Sequence, residues 1–338
     1  MTNGYYSVII PVYNQSEAIF KKCLQSIYST RYPFLEVIVV NDGSASHQAV
    51  VKQFSCQIVN LPEHRGSSFA RNTGAKKAQY ARLVFVDSDV VICENYFQKL
   101  NEFFDQRSDY CCVSATPVFD NYDSNLISQY YNLRFAYYFS RMGEPAHTVL
   151  SSCLAIKKDC FFSVSGFDQR VPSSFADDII LGWRLDSKEY RLAFDSQMSF
   201  RHLKTVTFFG LARNLFLHSY YYAKYFLIYR FSKSPYLPSV VNREAAWNAA
   251  LMAMLITVFF LPLAGFYKLL LTLIFLLLIL INYRRFLRLV SLKKNSLSLG
   301  FSVVVILFEI LTLLCGSIFG ISKALINRVM HKEEEEPK

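Results

Sequence analysis

The chain has 338 residues, of which 52% are hydrophobic, and a formal net charge of +10; this length suits one large α/β domain or two smaller units. Residues 1–200 contain 19 basic and 20 acidic residues, a net of −1, whereas residues 201–338 contain 17 and 6, a net of +11. Because the basic part also holds the long apolar runs, its expected counter-charge is an anionic lipid surface, and the composition argues against a nucleic-acid partner.

The first 90 residues alternate between strand and helix patterns. Apolar, β-branched runs predict strands, and helix-period segments lie between them. The predicted strands are Val8–Ile10, Leu35–Val40, Cys56–Asn60 and Leu83–Asp87, and the predicted helices are Ser16–Tyr28 and Ser67–Ala78. This alternation predicts an α/β fold with a mainly parallel sheet and helices on its faces.

Two carboxylates, Asp87 and Asp89, stand one residue apart where the last of these strands ends. In open α/β sheets, ligands bind beyond the carboxyl ends of strands. Two acids at this spacing suit a hard divalent cation that bridges to phosphates. Asp and Ser are also ordinary turn residues, so the run alone is equally compatible with a polar turn.

Three apolar stretches follow residue 244. They are Ala245–Tyr267 with 23 residues, Leu269–Tyr283 with 15, and Asn295–Ser322. Since about 20 residues span a bilayer core, we predict three transmembrane helices, the first two joined near Pro262 with Lys268 reaching the headgroups. Glu309 interrupts the third stretch at a cost of about 3 kcal/mol, which a span this apolar can absorb.

Basic residues also predict the orientation in the membrane. Lys and Arg number seven in residues 201–244, one between the first two apolar stretches, and five in residues 284–294. The positive-inside bias therefore places the first domain and the 284–294 loop in the cytoplasm, in a multi-pass protein of the plasma or inner membrane. The eight cysteines show no C-x-x-C spacing and read as reduced thiols, which agrees with a cytosolic domain, as does an amino-terminal apolar run too short for a signal peptide.

The segment Phe208–Phe231 interleaves tyrosines with Arg213, Lys224 and Arg230. This pattern suits an amphipathic helix in the headgroup region, and an aromatic core helix is the alternative. The predicted parts of the chain are therefore a first domain at 1–202, an interfacial helical region at 203–244, a transmembrane region at 245–325 and a charged tail at 326–338.

Four short motifs in order carry a resemblance to a known family. They are Ser7–Asn14 (SVIIPVYN), Val39–Ser44 (VVNDGS), Arg71–Gly74 (RNTG) and Asp87–Asp89 (DSD). Together they resemble the inverting family 2 glycosyltransferases of the GT-A fold, over a region that runs from about Ser7 to His202. The resemblance implies a GT-A nucleotide-sugar-binding domain at 1–202. It implies nothing about the predicted transmembrane region at 245–325.

The resemblance implies where the donor nucleotide binds. The nucleoside-binding segment would include Pro11, Tyr13, Asn14 and Glu17. Asp42 matches the acid that accepts a hydrogen bond from uracil, although the family more often has a second acid where this chain has Asn41. Arg71 falls at the family's cationic position near the diphosphate, where a guanidinium fits phosphate oxygens.

The resemblance also implies a divalent cation as cofactor, Mg²⁺ or Mn²⁺. Asp87 would contact the ribose or a metal-bound water, and Asp89 would ligate the metal across the two phosphates. His202, after the strand-like segment at residues 192–200, matches a histidine that related enzymes use as a further ligand. The metal would neutralise charge on the departing nucleoside diphosphate.

The acceptor half of the family is matched by Gly166-Phe167-Asp168 and the acidic pair Asp177-Asp178. The resemblance implies that Asp178 is the general base, with a pKa raised by its surroundings, and that Asp177 lies in the donor site. An acidic pair favoured by a helix dipole is the alternative. The Q-x-x-R-W of processive synthases is replaced by Trp183-Arg184 alone, which favours transfer of a single sugar.

The function implied is a membrane-associated, metal-dependent, inverting glycosyltransferase. It would move one sugar from a nucleotide-diphosphate sugar, expected to be a UDP-sugar, to a lipid-linked or cell-surface glycan acceptor. A polyprenyl-phosphate acceptor and a non-catalytic membrane nucleotide-binding module are the alternatives, with a nucleotidyltransferase as a third.

Overall fold

The computed structural model describes the chain in eight pieces. They are residues 4–44, 47–119, 125–142, 144, 146–171, 175–231, 240–292 and 298–329. The chain divides into a first unit, Met1–Asp120 with Met142–Lys204, and a second unit, Asn121–Arg141 with Thr205–Glu336.

The described residues form eight strands and eleven helices. The strands are β1 Tyr6–Val12, β2 Leu35–Asn41, β3 Gln57–Asn60, β4 Arg82–Val86, β5 Val90–Ile92, β6 Tyr110–Val118, β7 Cys153–Lys157 and β8 Arg191–His202. The helices are α1 Glu17–Ser29, α2 Gln48–Val51, α3 Ser67–Lys77, α4 Tyr96–Gln106, α5 Leu126–Phe139, α6 Lys158–Ser163, α7 Asp177–Ser187, α8 Phe208–Phe231, α9 Val240–Phe260, α10 Gly265–Leu292 and α11 Leu299–Val329. All strands belong to the first unit, and α5 belongs to the second although it lies between β6 and β7 in the chain.

The strands form one mixed sheet in the order β3-β2-β1-β4-β7-β6-β8-β5. The first four are parallel, as the sequence predicts. Beyond β4 the sheet is mixed, because β7 is antiparallel to both of its neighbours and β5 is antiparallel to β8. Strand β5 follows β4 after only three residues, too few for a parallel crossover, and it pairs with β8 at the edge of the sheet instead.

The register of the parallel strands brings their carboxyl ends to one edge. Val12 pairs with Asn41, and Ile9 pairs with Phe85. The residues that follow β1, β2 and β4 therefore lie at the same edge of the sheet. Helix α3 packs directly on β1, since a Cβ added at Gly74 would overlap the Ile9 side chain.

Two helices of the second unit are long and apolar enough to cross a membrane, Gly265–Leu292 and Leu299–Asn327. The helix before them, α9, is also apolar over Glu244–Phe260. Three spans therefore stay a prediction, of which two are found as candidate spans within the described residues. The predicted break near Pro262 exists between α9 and α10, but the helix that follows continues to Leu292, because clustered arginines end an apolar run without ending a helix.

Helices α9 and α10 pack as an antiparallel hairpin. Lys268 Nζ donates to the Phe259 carbonyl oxygen at 3.2 Å, and Asn282 Nδ2 donates to Asn248 Oδ1 at 3.0 Å further along the pair. Lys268 therefore lies in the first turn of α10, where the sequence predicts the hairpin turn.

Glu309 in α11 is not a lone acid. Its carboxylate, 4% exposed, accepts hydrogen bonds from Tyr130 Oη at 2.6 Å and from Arg134 Nε at 3.2 Å, both in α5. The Arg134 guanidinium also lies 5.2 Å from the centre of the Tyr283 ring in α10. Glu309 is thus paired with a cation and a hydroxyl of α5. This corrects the expectation that the apolar span alone offsets the energetic cost of burying the Glu309 carboxylate.

Helix α8 runs alongside α11 in the same direction. Phe208 and Phe308 have ring centres 4.6 Å apart. Further along, a Cβ at Gly316 or at Gly320 would overlap the backbone of Phe216 or of Tyr220, respectively. Glycines four residues apart allow this close approach of two helix backbones. A headgroup location for α8 stays a prediction.

Candidate active site

Three potential metal ligands meet at the edge of the sheet. Ligand atoms of Asp87, Asp89 and His202 all lie within 4.8 Å of one another. The two acids occupy the short connection between β4 and β5, and His202 is the last residue of β8, opposite Val90 in the register. The Leu203 backbone N–H donates to the Asp89 carbonyl oxygen at 2.8 Å, which holds the end of β8 against this connection.

The chemistry of this cluster fits the divalent cation that the resemblance implies. Two carboxylates and an imidazole form a donor set suited to Mn²⁺ and acceptable to Mg²⁺. His202 Nε2 lies 3.2 Å from Asp89 Oδ1. Burial alone would raise the pKa of Asp89, but the charge and hydrogen bond of His202, together with Lys204 and a backbone hydrogen bond, lower the pKa to about 2. Asp89 is therefore ionised, as a metal ligand must be.

Arg71 joins this cluster to the acidic pair at the start of α7. Its guanidinium is 4% exposed and donates to Asp87 Oδ1 at 2.6 Å and to Asp177 Oδ2 at 2.9 Å. Burial would lower the pKa of Arg71, but these two carboxylates raise it well above its ordinary value. The predicted contact with a diphosphate stays a prediction, and in the structure both terminal nitrogens bind carboxylates.

The acidic pair divides into a buried member and a more accessible one. Asp177, 1% exposed, accepts from Arg71 and, at 3.3 Å, from the Ser68 hydroxyl. Asp178 Oδ2 accepts from both the backbone N–H and the hydroxyl of Ser151 at 3.3 Å. Burial and the neighbouring Asp177 carboxylate raise the pKa of Asp178 well above the ordinary value for aspartate. A carboxyl with a raised pKa is suited to proton transfer near neutral pH.

The turn at Gly166-Phe167-Asp168 is held by Asn72 and Arg184. The Asn72 side chain donates to the Phe167 carbonyl oxygen at 2.8 Å and accepts from the Phe167 N–H at 3.0 Å. Gly166 has φ +68, and an added Cβ would meet Asn72 Oδ1 at 2.7 Å, so the turn requires glycine. Arg184 Nη2 donates to Asp168 Oδ2 at 2.6 Å. Arg184 of the Trp183-Arg184 dipeptide thus forms a buried ion pair with Asp168 that fixes the turn.

The predicted nucleoside-binding residues lie where β1 ends. Pro11 is buried within β1, Tyr13 is 44% exposed, Asn14 has φ +45, and Glu17 is exposed in the first turn of α1. The left-handed conformation of Asn14 turns the chain sharply between strand and helix. Their roles in donor binding stay predictions.

Asp42 is buried, 2% exposed, beneath the loop before α3. Its Oδ1 accepts from the Arg65 N–H at 2.7 Å and its Oδ2 from the Gly66 N–H at 2.9 Å. His64 Nδ1 lies 2.8 Å from Asp42 Oδ2, and the imidazole stacks on the Tyr13 ring with centres 3.7 Å apart. Sequence reasoning did not find His64, because a single histidine in a connecting loop belongs to no recognisable pattern.

Comparisons with known proteins agree with this geometry. Residues 7–162 match the profile of "Glycosyl transferase family 2". The poly-beta-1,6-N-acetyl-D-glucosamine synthase of Staphylococcus epidermidis is 24% identical over 200 residues, which cover 56% of this chain and 47% of that protein. Glycosyltransferase AglE of Haloferax volcanii is 43% identical over 96 residues, 26% of this chain and 31% of that protein. The chain thus spans about half the length of the first curated relatives it matches.

A solved structure extends the likeness to the fold. The mannosyltransferase PcManGT of Pyrobaculum calidifontis, in complex with GDP-Man and Mn²⁺, has 18% sequence identity and a TM-score of 0.57, covering 96% of this chain and 87% of that one. At this identity the comparison establishes the fold alone.

Proposed function

The chain carries a family 2 glycosyltransferase domain of the GT-A fold, and from that premise we propose that it transfers one sugar from a nucleotide-diphosphate sugar to a lipid-linked or cell-surface glycan. The observation that carries the proposal is the grouping of Asp87, Asp89 and His202 within 4.8 Å at the carboxyl edge of the sheet. This is the edge at which α/β folds bind their ligands.

The donor would bind with its diphosphate at this cluster. Asp89 and His202 would hold a divalent cation, Mg²⁺ or Mn²⁺, and Asp87 would orient the donor beside it. The cation would neutralise charge on the leaving nucleoside diphosphate. Arg71 would fix the position of Asp87, since its guanidinium donates to that carboxylate at 2.6 Å.

Asp178 would take the proton from the acceptor hydroxyl as its oxygen attacks the anomeric carbon with inversion. The raised pKa of this carboxyl supports the role, and the two hydrogen bonds from Ser151 orient its Oδ2. Asp177 would stay paired with Arg71. A phosphate acceptor is already ionised and needs no base, so the environment of Asp178 favours a hydroxyl acceptor over a polyprenyl phosphate.

We propose a membrane as the place of the reaction. The second unit contains two helices long and apolar enough to cross one, and residues 201–338 carry a net charge of +11. The proposed location is the plasma or inner membrane, with the first unit in the cytoplasm and anionic lipids near the basic segments. An acceptor attached to a lipid would be delivered at the same surface.

The donor is expected to be a UDP-sugar, because Asp42 matches the uracil-reading acid of the family. The solved mannosyltransferase holds GDP-Man, so guanosine donors belong in the same test. Detergent-purified protein is incubated with a panel of UDP- and GDP-sugars and a lipid extract, with Mn²⁺ or with EDTA, and release of nucleoside diphosphate is measured.

Asp178→Asn and Asp89→Asn are the test variants, and Asp186→Asn, in the same helix as Asp178 and 23% exposed, is the control. Metal-dependent release that both test variants lose and the control keeps would establish the transferase and its donor. Release that survives in both would refute the assignment. Nucleotide binding without release from any donor would favour a non-catalytic binding module.

A further inference from the structure

A side chain that no motif marks lies on the two groups proposed to bind the donor's base. The His64 imidazole stacks on Tyr13 with ring centres 3.7 Å apart and planes 18° apart. Its Nδ1 lies 2.8 Å from Asp42 Oδ2. We propose that His64 is part of the nucleobase subsite and fills that subsite until the base of a donor displaces it. This inference rests on the proposed function, from which it takes the roles of Tyr13 and Asp42.

The imidazole makes the two contacts that a nucleobase would make here. It is a flat heterocycle with one face against the Tyr13 ring, an arrangement that aromatic pairs favour. An ionised carboxylate only accepts hydrogen bonds, so the ring N–H of His64 donates to Asp42. Uracil and guanine each carry a ring N–H that can make the same donation, and both can stack on a tyrosine.

A base that stacks on Tyr13 and bonds Asp42 Oδ2 needs His64 to move, because His64 already makes both contacts. The Asp42 side chain is 2% exposed, whereas Tyr13 is 44% exposed and the His64 side chain 46%. Backbone N–H groups of Arg65 and Gly66 already occupy one position on each carboxylate oxygen. His64 takes the second position on Oδ2.

Displacement would occur by rotation of the His64 side chain. The backbone of residues 63 and 64 packs directly on Gly43, which has φ +77 and where an added Cβ would overlap the Glu63 carbonyl carbon. The two hydrogen bonds to Asp42 fix the same loop from Arg65 and Gly66. The loop backbone is thus held at residues 63–64 and again at residues 65–66. The half-exposed imidazole can rotate away from Asp42 without a movement of this backbone.

Molecules in which His64 fills the subsite cannot bind the nucleobase. Apparent affinity falls in proportion to the binding-competent fraction, so a subsite filled by His64 in about 90% of molecules binds about tenfold more weakly than an open one. His64→Ala should therefore tighten nucleotide binding by about three- to tenfold. A side chain that merely adds to the binding surface would have the opposite effect when removed.

The test is calorimetric titration of the full-length protein in detergent with UDP and with GDP, each in the presence of Mn²⁺. His147→Ala is the matched control, because its side chain is also 46% exposed and also pairs with an aspartate, Asp186, at 3.1 Å. Tighter binding in His64→Ala with an unchanged control supports the inference. Equal or weaker binding in His64→Ala overturns it. Absence of binding in all three proteins would instead refute the nucleotide site itself, and the inference with it.

A second measurement reports the movement directly. In the free protein, the Tyr13 ring should shift the His64 ring protons upfield, and the His64 resonance is identified among the six histidines by its loss in His64→Ala. Saturation with the tighter of the two nucleotides should return this resonance toward the position of an exposed histidine such as His147. A resonance that stays upfield at saturation would show that the base binds without displacing His64.

Discussion

Arg71→Met should destabilise the first unit strongly. The Arg71 guanidinium is 4% exposed, and one of its partners, Asp177, is 1% exposed. Removing one member of a buried ion pair leaves the other charge without compensation, which costs about 3–5 kcal/mol. The second partner, Asp87, is 23% exposed and keeps contact with water, so it adds little to this cost.

Thermal unfolding in detergent measures the effect. A unit of this size loses about 2–4 °C in Tm for each kcal/mol, so Arg71→Met should melt about 6–20 °C lower. Asp177→Asn removes the buried negative charge, and the double variant should therefore recover a large part of the loss. The coupling of residues in contact is typically about 0.5–3 kcal/mol in a double-mutant cycle.

Arg191→Met is the control, because Arg191 pairs with Asp109 on the surface, where their side chains are 57% and 53% exposed, and no shift in Tm is expected. Two results would refute the reasoning. One is an Arg71→Met protein that melts with the wild type. The other is a double variant in which the losses of the two single variants simply add.

Three further predictions concern the metal site, the second unit and pH. His202→Ala should weaken Mn²⁺ binding, measured from the EPR signal of free Mn²⁺, by at least about tenfold. Asp89→Asn should weaken it further. If both variants bind Mn²⁺ as tightly as the wild type, neither residue is a metal ligand. Gly316→Leu should cost about 1–3 kcal/mol of stability by overpacking α8 against α11, whereas Gly300→Leu, with open space around it, should not; equal melting would exclude the close contact. Because burial and Asp177 raise the pKa of Asp178, its contribution to stability is full below the unfolded pKa of about 4 and is lost as pH rises. Asp178→Asn should thus melt above the wild type at neutral pH, and the two should converge in acid; a constant difference would contradict this origin.

The sheet edge was predictable because strand patterns and motifs coincide there. Apolar runs that stop at Asp42 and at Asp87 locate the ends of β2 and β4, and parallel pairing then brings those ends together. His202 was found only through the family resemblance. Its place depends on the antiparallel register of β5 with β8, which joins positions more than 100 residues apart and leaves no local signal.

The contacts of Arg71 could not be predicted from the sequence. Its two partners lie 16 and 106 residues away in the chain, and a local motif does not record which acid the fold delivers to a buried guanidinium. The ends of the apolar helices were missed for a different reason. Arg284 and Arg285 end the apolar run but are good helix formers, so α10 continues to Leu292.

The bond between Arg134 and Glu309 has a consequence for the order in which the second unit assembles. The two residues are 175 apart in the chain, so at about 5–20 residues per second the ribosome makes Arg134 roughly 10–35 s before Glu309. Until then the Arg134 guanidinium lacks the carboxylate that it pairs with in the complete fold. We therefore expect α5 to take its final place only after α11 has been made.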